Sequence, residues 1–287
     1  MDISLKAIKD CAFSEYERQI FHVIKATLQS RAKTAAKSTK IAQDIAFFCI
    51  SQDEGVDVGE TLWNVWAVVV EMASRIPAGH AWQDSLVLGL DVLREQDGAV
   101  LPADEDDEDE KDGKKPLLWQ DLPNLALCVR EKWIDPTETT EDLADEFARW
   151  RNLNSFVARV TSDEFAPWRN LSVWQLRAAL EKTPLTNAAA FDTRVWVATE
   201  WAIECAEVLY EQLRPKTEPD AATAKSLRAG PLYGDGKPVL GVERWAFWKA
   251  RFAELRADAA NLGLSAATTA RISDALKSME AVHAPKK

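Results

Sequence analysis

Apolar residues recur along most of the chain at the three- and four-residue spacing that is typical of amphipathic α-helices. Tyr16, Ile20 and Ile24 follow this spacing near the start of the chain. Just before them, Ser14 is followed three residues later by Glu17, which is the capping-box pattern of a helix start. The pattern predicts a first helix from about residue 13 to residue 30.

The segment from Leu62 to Met72 is apolar on nearly every side. A helix without a polar face is buried, so we expect this one in the middle of a core. Asp57 and Glu60 give it a second capping box. It must end before Pro77, because the residue that precedes a proline disfavours the helical conformation.

Similar patterns predict further helices along the rest of the chain. We expect them from residue 38 or 39 onward and over residues 82–98, 122–133, 140–161, 172–182, 186–213, 242–262 and 265–282, with Ser172 as an N-cap. The predicted fold is therefore all-α, a compact multi-helix bundle of about nine to ten helices. We expect residues 1–287 to form a single helical domain.

Two segments interrupt the helical pattern. Residues 104–112 carry eight acids and one lysine, and such a segment buries too little apolar surface to offset the entropy cost of ordering it. We therefore predict a flexible acidic loop over residues 102–116. Residues 214–240 are polar and then rich in turn-forming glycine and proline, which predicts an irregular loop that could include a short hairpin.

The charge of the chain limits its partners. A formal net charge of -11 argues against binding to nucleic acid, because neutralising phosphates requires clustered lysine and arginine. The longest apolar run is far shorter than the roughly 20 residues that cross a bilayer, and the first residues do not have the pattern of a signal peptide. We expect a cytoplasmic or nuclear protein that binds neither nucleic acid nor membrane.

The four cysteines, Cys11, Cys49, Cys128 and Cys205, are scattered and lie mostly within helical patterns. We expect them to be core thiols in a reducing compartment. No pair of them has zinc-ligand spacing, and no phosphate-binding loop or nucleophile elbow occurs. The sequence thus predicts no metal and no cofactor, and it leaves open whether the protein is an enzyme.

Several charged and polar residues stand on predicted helices. Glu71 and Arg75 are spaced as an ion pair within one helix. Asn154 and Arg159 lie on a helix that is apolar on two faces, so they either line a pocket or hold the helix in register through internal hydrogen bonds. A further helix carries four glutamates, which we interpret as a solvated acidic stripe: Glu200, Glu204, Glu207 and Glu211.

Several segments of the chain, taken together, resemble a known family. These segments are Leu122-Pro-x-Leu125, Arg130 to Trp133, Trp150 to Arg159, Leu176 to Glu181, a helix that contains Trp196, Gly230-Pro-Leu, and Glu243 to Trp248. In this order they resemble a fungal-specific, all-helical family catalogued only as a domain of unknown function. The resemblance spans roughly residues 63–255. It implies a helical fold, a fungal origin and a single-domain intracellular protein, and it implies no activity.

Two functional hypotheses follow from the sequence. The first is a protein-interaction or adaptor module, which the missing catalytic motifs favour and for which Trp168 and Trp245 are predicted as exposed anchors. The alternative is a small-molecule-binding protein or an atypical enzyme of fungal metabolism with a pocket between helices. The predicted lining of that pocket is Arg130, Trp150, Asn154, Arg159, Trp245 and Trp248.

Overall fold

The computed structural model describes residues 13–50, 57–96, 99–101, 117–139, 143–162, 164–165, 167–215, 217–234 and 236–282. Helices account for 70% of this part of the chain, with almost no strand. The all-α prediction is confirmed. The described residues form 12 α-helices, so the predicted nine to ten is slightly too low.

Two features account for the two additional helices. The predicted helix over residues 186–213 is two helices, because Cys205 leaves the helical conformation with φ -119° and ψ 21°. No proline or glycine marks this break. The other additional helix, Ala221–Ser226, lies in the polar segment that was predicted to be irregular, and its N-cap is Asp220, which accepts a hydrogen bond from the Thr223 backbone N–H.

Contacts divide the chain into two compact units that meet in sequence between Ile134 and Asp135. The single domain predicted from the sequence stays a prediction. The helices of the first unit are α1 Glu15–Gln29, α2 Thr34–Ile50, α3 Val58–Arg75, α4 Ala81–Arg94 and α5 Leu125–Glu131.

Helix α3 is the centre of the first unit. It contacts each of the other four helices, and most of its side chains are buried, as the apolar pattern predicted. Asp57 caps it by accepting from the Gly59 N–H. The predicted ion pair is also present, since Arg75 Nε donates to Glu71 Oε1 at 2.6 Å.

The turn from Leu122 to Leu125 is tied to α3 by two hydrogen bonds. The Trp66 indole N–H donates to the Pro123 carbonyl at 2.6 Å, and the Asn124 side chain donates to the Gly59 carbonyl at 3.1 Å. Leu122 and Asn124 both have positive φ, at 40° and 67°. These bonds and the burial of Leu122 hold a backbone that is costly for residues other than glycine.

A short strand pair belongs to the same unit. Strand β1, Ala99–Leu101, pairs antiparallel with β2, Leu117–Leu118, and a 3-10 turn follows at Trp119–Asp121. The acidic loop that we predicted over residues 102–116 lies outside the described residues.

The second unit begins with a 3-10 turn at Pro136–Glu138. Its α-helices are α6 Ala144–Val160, α7 Arg169–Leu180, α8 Ala188–Glu204, α9 Ala206–Gln212, α10 Ala221–Ser226, α11 Val242–Ala257 and α12 Ala266–Ala281. Helix α8 packs against α6, α7 and α12. It is therefore the helix around which this unit is built.

Helix α7 starts earlier than expected. It begins at Arg169, so Ser172 is not its N-cap. The Ser172 hydroxyl instead donates to the Arg169 carbonyl at 2.6 Å. The described residues between 214 and 240 form α10 and turns rather than strands.

No helix in the described ranges combines the length and the apolar character needed to cross a bilayer. The cytoplasmic or nuclear location stays a prediction. Cys49, Cys128 and Cys205 are buried free thiols, as expected, whereas Cys11 lies outside the described residues.

Candidate functional site

A fully buried ion pair joins α11 to the end of α7. Arg244 Nε donates to Glu181 Oε1 at 2.7 Å, Nη2 donates to Oε2 at 3.0 Å, and both side chains are 0% exposed. The guanidinium therefore binds the carboxylate in a bidentate manner through two hydrogen bonds, which is the strongest geometry available to this pair.

The remaining polar atoms of this pair are also satisfied. Glu181 accepts from the Trp248 indole N–H and from the Gly230 backbone N–H, each at 2.6 Å. Arg244 Nη1 donates to the carbonyls of Leu227 and Val239 at 2.7 and 2.5 Å. Two buried charges with this many partners tie the 227–239 segment to two helices, which is a structural role.

Gly230 is packed too closely for any other residue. A Cβ atom placed there would lie 2.6 Å from the Cβ of Glu181 and 2.7 Å from its carbonyl oxygen. The segments that carried the family resemblance, Leu176 to Glu181, Gly230-Pro-Leu and Glu243 to Trp248, thus meet in this ion-pair cluster.

The two tryptophans predicted as exposed anchors are buried, so that prediction is wrong. Trp168 is 0% exposed and its indole N–H donates to Thr161 Oγ1 at 2.6 Å. Trp245 is 2% exposed, lies against the Tyr210 ring and has no acceptor for its indole N–H within the described chain. Both side chains are part of the hydrophobic core of the second unit.

Two of the three predicted pocket residues of α6, Trp150 and Asn154, are buried. Asn154 is 0% exposed, accepts from the Trp201 indole N–H at 2.9 Å and donates to the Trp150 carbonyl at 2.9 Å. Trp150 is 3% exposed. Arg159 is half-buried and lies near Glu204, whose carboxyl pKa is raised by desolvation and lowered in part by that arginine.

The structure thus brings together some of the six predicted residues and not others. Trp150 and Asn154 are linked on α6, and Trp245 and Trp248 are three residues apart on α11. Arg130 is an exposed residue of α5 in the first unit.

The predicted acidic stripe is only partly solvated. Glu200 is 3% exposed and pairs with Arg271 of α12, so the prediction is wrong for this residue. That guanidinium also stacks on Trp196 with 4.4 Å to the ring centroid. In the described part of the chain, no group of three His, Cys, Asp or Glu side chains is placed to hold a metal ion.

A polar cleft, which the sequence did not indicate, opens in the second unit. It has a volume of about 370 Å³ and is formed by residues of the segments 137–139 and 182–187 and by Arg194 of α8. We call it the threonine cleft because four threonines line it: Thr137, Thr139, Thr183 and Thr186. None of the six pocket residues predicted from the sequence lines it.

Arg194 is the buried charge of this cleft. Its side chain is 4% exposed, Nε donates to Thr137 Oγ1 at 2.7 Å, and Nη2 donates to Glu138 Oε1 at 2.7 Å. The 3-10 turn that presents these two acceptors is held by Asp135, whose carboxylate accepts from the Thr137 N–H and hydroxyl at 2.9 and 2.6 Å.

Residues 182–187 add a second cation and a helix start to the lining of the threonine cleft. Lys182 Nζ lies 3.7 Å from the same Glu138 oxygen. Asn187 caps α8 by accepting from the Ala190 N–H at 3.1 Å, and the first turn of α8 has no acidic residue. The lysine and the helix start therefore both favour a negative charge nearby.

The sequence did contain a signal for Arg194. It stands three residues after Phe191 and four before Ala198, both buried, so it interrupts an apolar stripe of α8 with a charge. A charge on an apolar stripe needs a polar partner. That signal does not identify the partner, because the Asp135-Pro-Thr turn that supplies it is far away in sequence.

The described residues form an all-α protein whose second unit contains a buried ion-pair cluster and a polar cleft. Residues 66–252 match the family described as "Protein of unknown function (DUF3632)", and the chain belongs to that family. This confirms the resemblance to an uncharacterised family, while its fungal restriction stays a prediction. Comparisons with curated proteins and with solved structures found no match.

Proposed function

We propose that the second unit binds a small polar molecule in the threonine cleft. One observation carries this proposal. Arg194, at 4% exposure, stands in the wall of an open cleft, and its only carboxylate partner in the described chain, Glu138, is 61% exposed. Burying a guanidinium costs free energy, and the buried guanidinium of Arg194 lies at a cleft rather than inside a core.

The contrast with Arg244 supports this interpretation. Arg244 is enclosed, and its three nitrogens donate to a buried carboxylate and to backbone carbonyls. Arg194 Nη1 donates no hydrogen bond to any described residue. A ligand in the threonine cleft could therefore accept from a preformed donor.

The size and chemistry of the threonine cleft suit a small ligand. Its volume of about 370 Å³ falls in the range of roughly 300–1,000 Å³ that is usual for ligand pockets. Threonine hydroxyls both donate and accept hydrogen bonds. The lining therefore favours a polar, hydroxyl-bearing or charged molecule over an apolar one.

A thermal-shift screen against small polar metabolites tests the proposal. A ligand that binds only the folded state raises the midpoint, with a stabilisation of about 2.7 kcal/mol at a hundred times its Kd. Thr186→Trp fills the threonine cleft from an exposed position, and Thr217→Trp is the matched control at an exposed position that does not line it.

We expect at least one metabolite to stabilise the wild type and the control but not Thr186→Trp. A screen in which no metabolite shifts the wild type counts against the proposal. So does a ligand whose shift survives in Thr186→Trp.

The pocket predicted from the sequence around Asn154 and Trp248 is a second proposal for the same class of function. The indole N–H of Trp245 has no acceptor among the described residues. This favours the second proposal, because a buried donor needs a hydrogen-bond partner that a polar ligand atom could supply. Trp245→Phe would then abolish ligand binding that Thr186→Trp leaves intact.

The adaptor hypothesis ranks below both. Its two predicted anchors are buried, and the large apolar side chains that remain exposed in the described chain, such as Phe47 at 66% and Ile134 at 76%, are single residues of a kind that is normal on protein surfaces. A partner that binds wild type but not Phe47→Ser, with Leu127→Ser as control, would restore this hypothesis.

A further inference from the structure

We propose that the ligand of the threonine cleft carries an oxyanion, a phosphate or a carboxylate, and that the Glu138 carboxylate occupies the place of that anion when the cleft holds no ligand. This inference rests on the function proposed above and names the chemistry of its ligand.

Glu138 binds both cations through one oxygen. Its Oε1 lies 2.7 Å from Arg194 Nη2 and 3.7 Å from Lys182 Nζ. These are the two groups that would hold an external oxyanion, and a carboxylate already shows the position in which such an anion binds.

Replacing the Glu138 carboxylate by an external oxyanion has different energetic consequences for Glu138 and for Arg194. Glu138 is 61% exposed, so it returns to water at little cost, because exposed ion pairs contribute little. Arg194 is 4% exposed and needs an acceptor at all times. An incoming oxyanion supplies that acceptor, and the charge balance of the threonine cleft is kept.

An external oxyanion can also accept from Arg194 Nη1, a donor to which Glu138 is not bonded. Arg194 reaches Glu138 only through Nη2, while Nη1 has no acceptor in the described chain. A ligand oxyanion that accepts from Nη1 and Nη2 together would form the bidentate contact that arginine makes with carboxylates and phosphates.

The start of α8 adds to this preference. The Asn187 side chain accepts a hydrogen bond from the Ala190 N–H and lines the threonine cleft. The 17-residue helix that it caps has no acid in its first turn. The partial positive charge of a helix N-terminus favours an anion nearby. It reinforces the two side-chain cations.

Titration of the full chain with inorganic phosphate, and separately with acetate, tests the inference by isothermal calorimetry at pH 7 and low salt. Glu138→Gln removes the competing charge but keeps an acceptor for Arg194. Glu280→Gln is the matched control, since Glu280 is 66% exposed and pairs loosely with Lys249 at 3.9 Å. Both variants change the net charge equally.

We expect Glu138→Gln to bind at least one of the two probes about tenfold more tightly than the wild type, because an anionic competitor is gone, and Glu280→Gln to bind like the wild type. Adding Lys182→Gln to Glu138→Gln should reverse most of the gain. Tightening for phosphate alone or for acetate alone supports the inference and identifies the anion.

Unchanged affinity for both probes in Glu138→Gln would overturn the inference, and so would an equal gain in Glu280→Gln. If in that case a metabolite still stabilises the wild type but not Thr186→Trp, only the oxyanion is wrong and the proposed function stands. If Thr186→Trp is also without effect, both fail.

Discussion

Glu181 and Arg244 form an ion pair of 2.7 Å in which neither side chain is exposed to solvent. The carboxylate reaches from the end of α7, and the guanidinium reaches from the first turn of α11, so the pair joins segments that are 63 residues apart. Because both charged groups are fully buried and hydrogen-bonded, removing one of them leaves the other charge in the core without its counter-ion.

Breaking this pair from one side should destabilise the protein strongly. Arg244→Met leaves the Glu181 carboxylate buried without its cation, which costs about 3–5 kcal/mol. The double variant with Glu181→Met should lose less than the sum of the two single losses, since no charge remains buried. Urea unfolding followed by far-UV circular dichroism measures these free energies.

The control for the ion pair is the surface contact between Lys249 and Glu280, at 3.9 Å. Glu280→Gln should change the free energy of unfolding by less than about 1 kcal/mol. Strictly additive losses for Glu181→Met and Arg244→Met would contradict the structural role of the buried pair.

Asn154 should prove to be a structural residue of α6. Asn154→Ala removes the Oδ1 atom that accepts from the Trp201 indole N–H in a fully buried site, and this should cost about 1–3 kcal/mol. In a double-mutant cycle with Trp201→Phe, the second change should cost less once the first is made. If Asn154→Ala folds with wild-type stability yet loses a ligand, Asn154 belongs to a binding pocket instead.

We expect the buried thiols to lower the free energy of unfolding as the pH becomes alkaline. Burial raises the pKa of Cys49 and of Cys128 from 9.0 to about 12. The folded state therefore keeps its proton above pH 9 while the unfolded state releases it. The stabilisation is complete below pH 9 and disappears as the pH rises toward 12.

Cys49→Ala isolates this effect from the other groups that titrate in alkali. Between pH 9 and pH 10 the free energy of unfolding of the variant should fall by about 1 kcal/mol less than that of the wild type. Native Cys49 and Cys128 should also react slowly with a disulfide reagent at pH 8 and rapidly in urea. Equal pH profiles for wild type and variant would refute the assignment.

Local signals in the sequence predicted most of the helices. The Ser14 capping box is present in full, with the serine accepting from the Glu17 N–H and the glutamate accepting from the Ser14 N–H. The apolar run of α3 correctly predicted its central position. These features depend on residues within one or two turns of each other, which is why periodicity shows them.

Features that depend on distant partners were missed. The break at Cys205 has no proline or glycine, and its thiol contacts the Ala158 carbonyl of α6 at 3.1 Å, which no local pattern reveals. Trp168 follows a proline in a polar stretch and was expected on the surface, yet it is 0% exposed and its indole N–H donates to Thr161 Oγ1.

The threonine cleft was missed for the same reason. Arg194 and Thr137 are 57 residues apart, and a lone arginine in an apolar helix does not indicate which turn it will meet. Three of the segments that gave the family resemblance meet in the buried ion-pair cluster, where Glu181 accepts from Gly230 and Arg244.

The central claim is that the threonine cleft binds a small polar ligand at Arg194. Native mass spectrometry after equilibrium dialysis against a pool of small polar metabolites tests it most directly. We predict a discrete added mass on the wild type and on Thr217→Trp that is absent from Thr186→Trp. An added mass of equal occupancy on all three proteins, or on none of them, would contradict the claim.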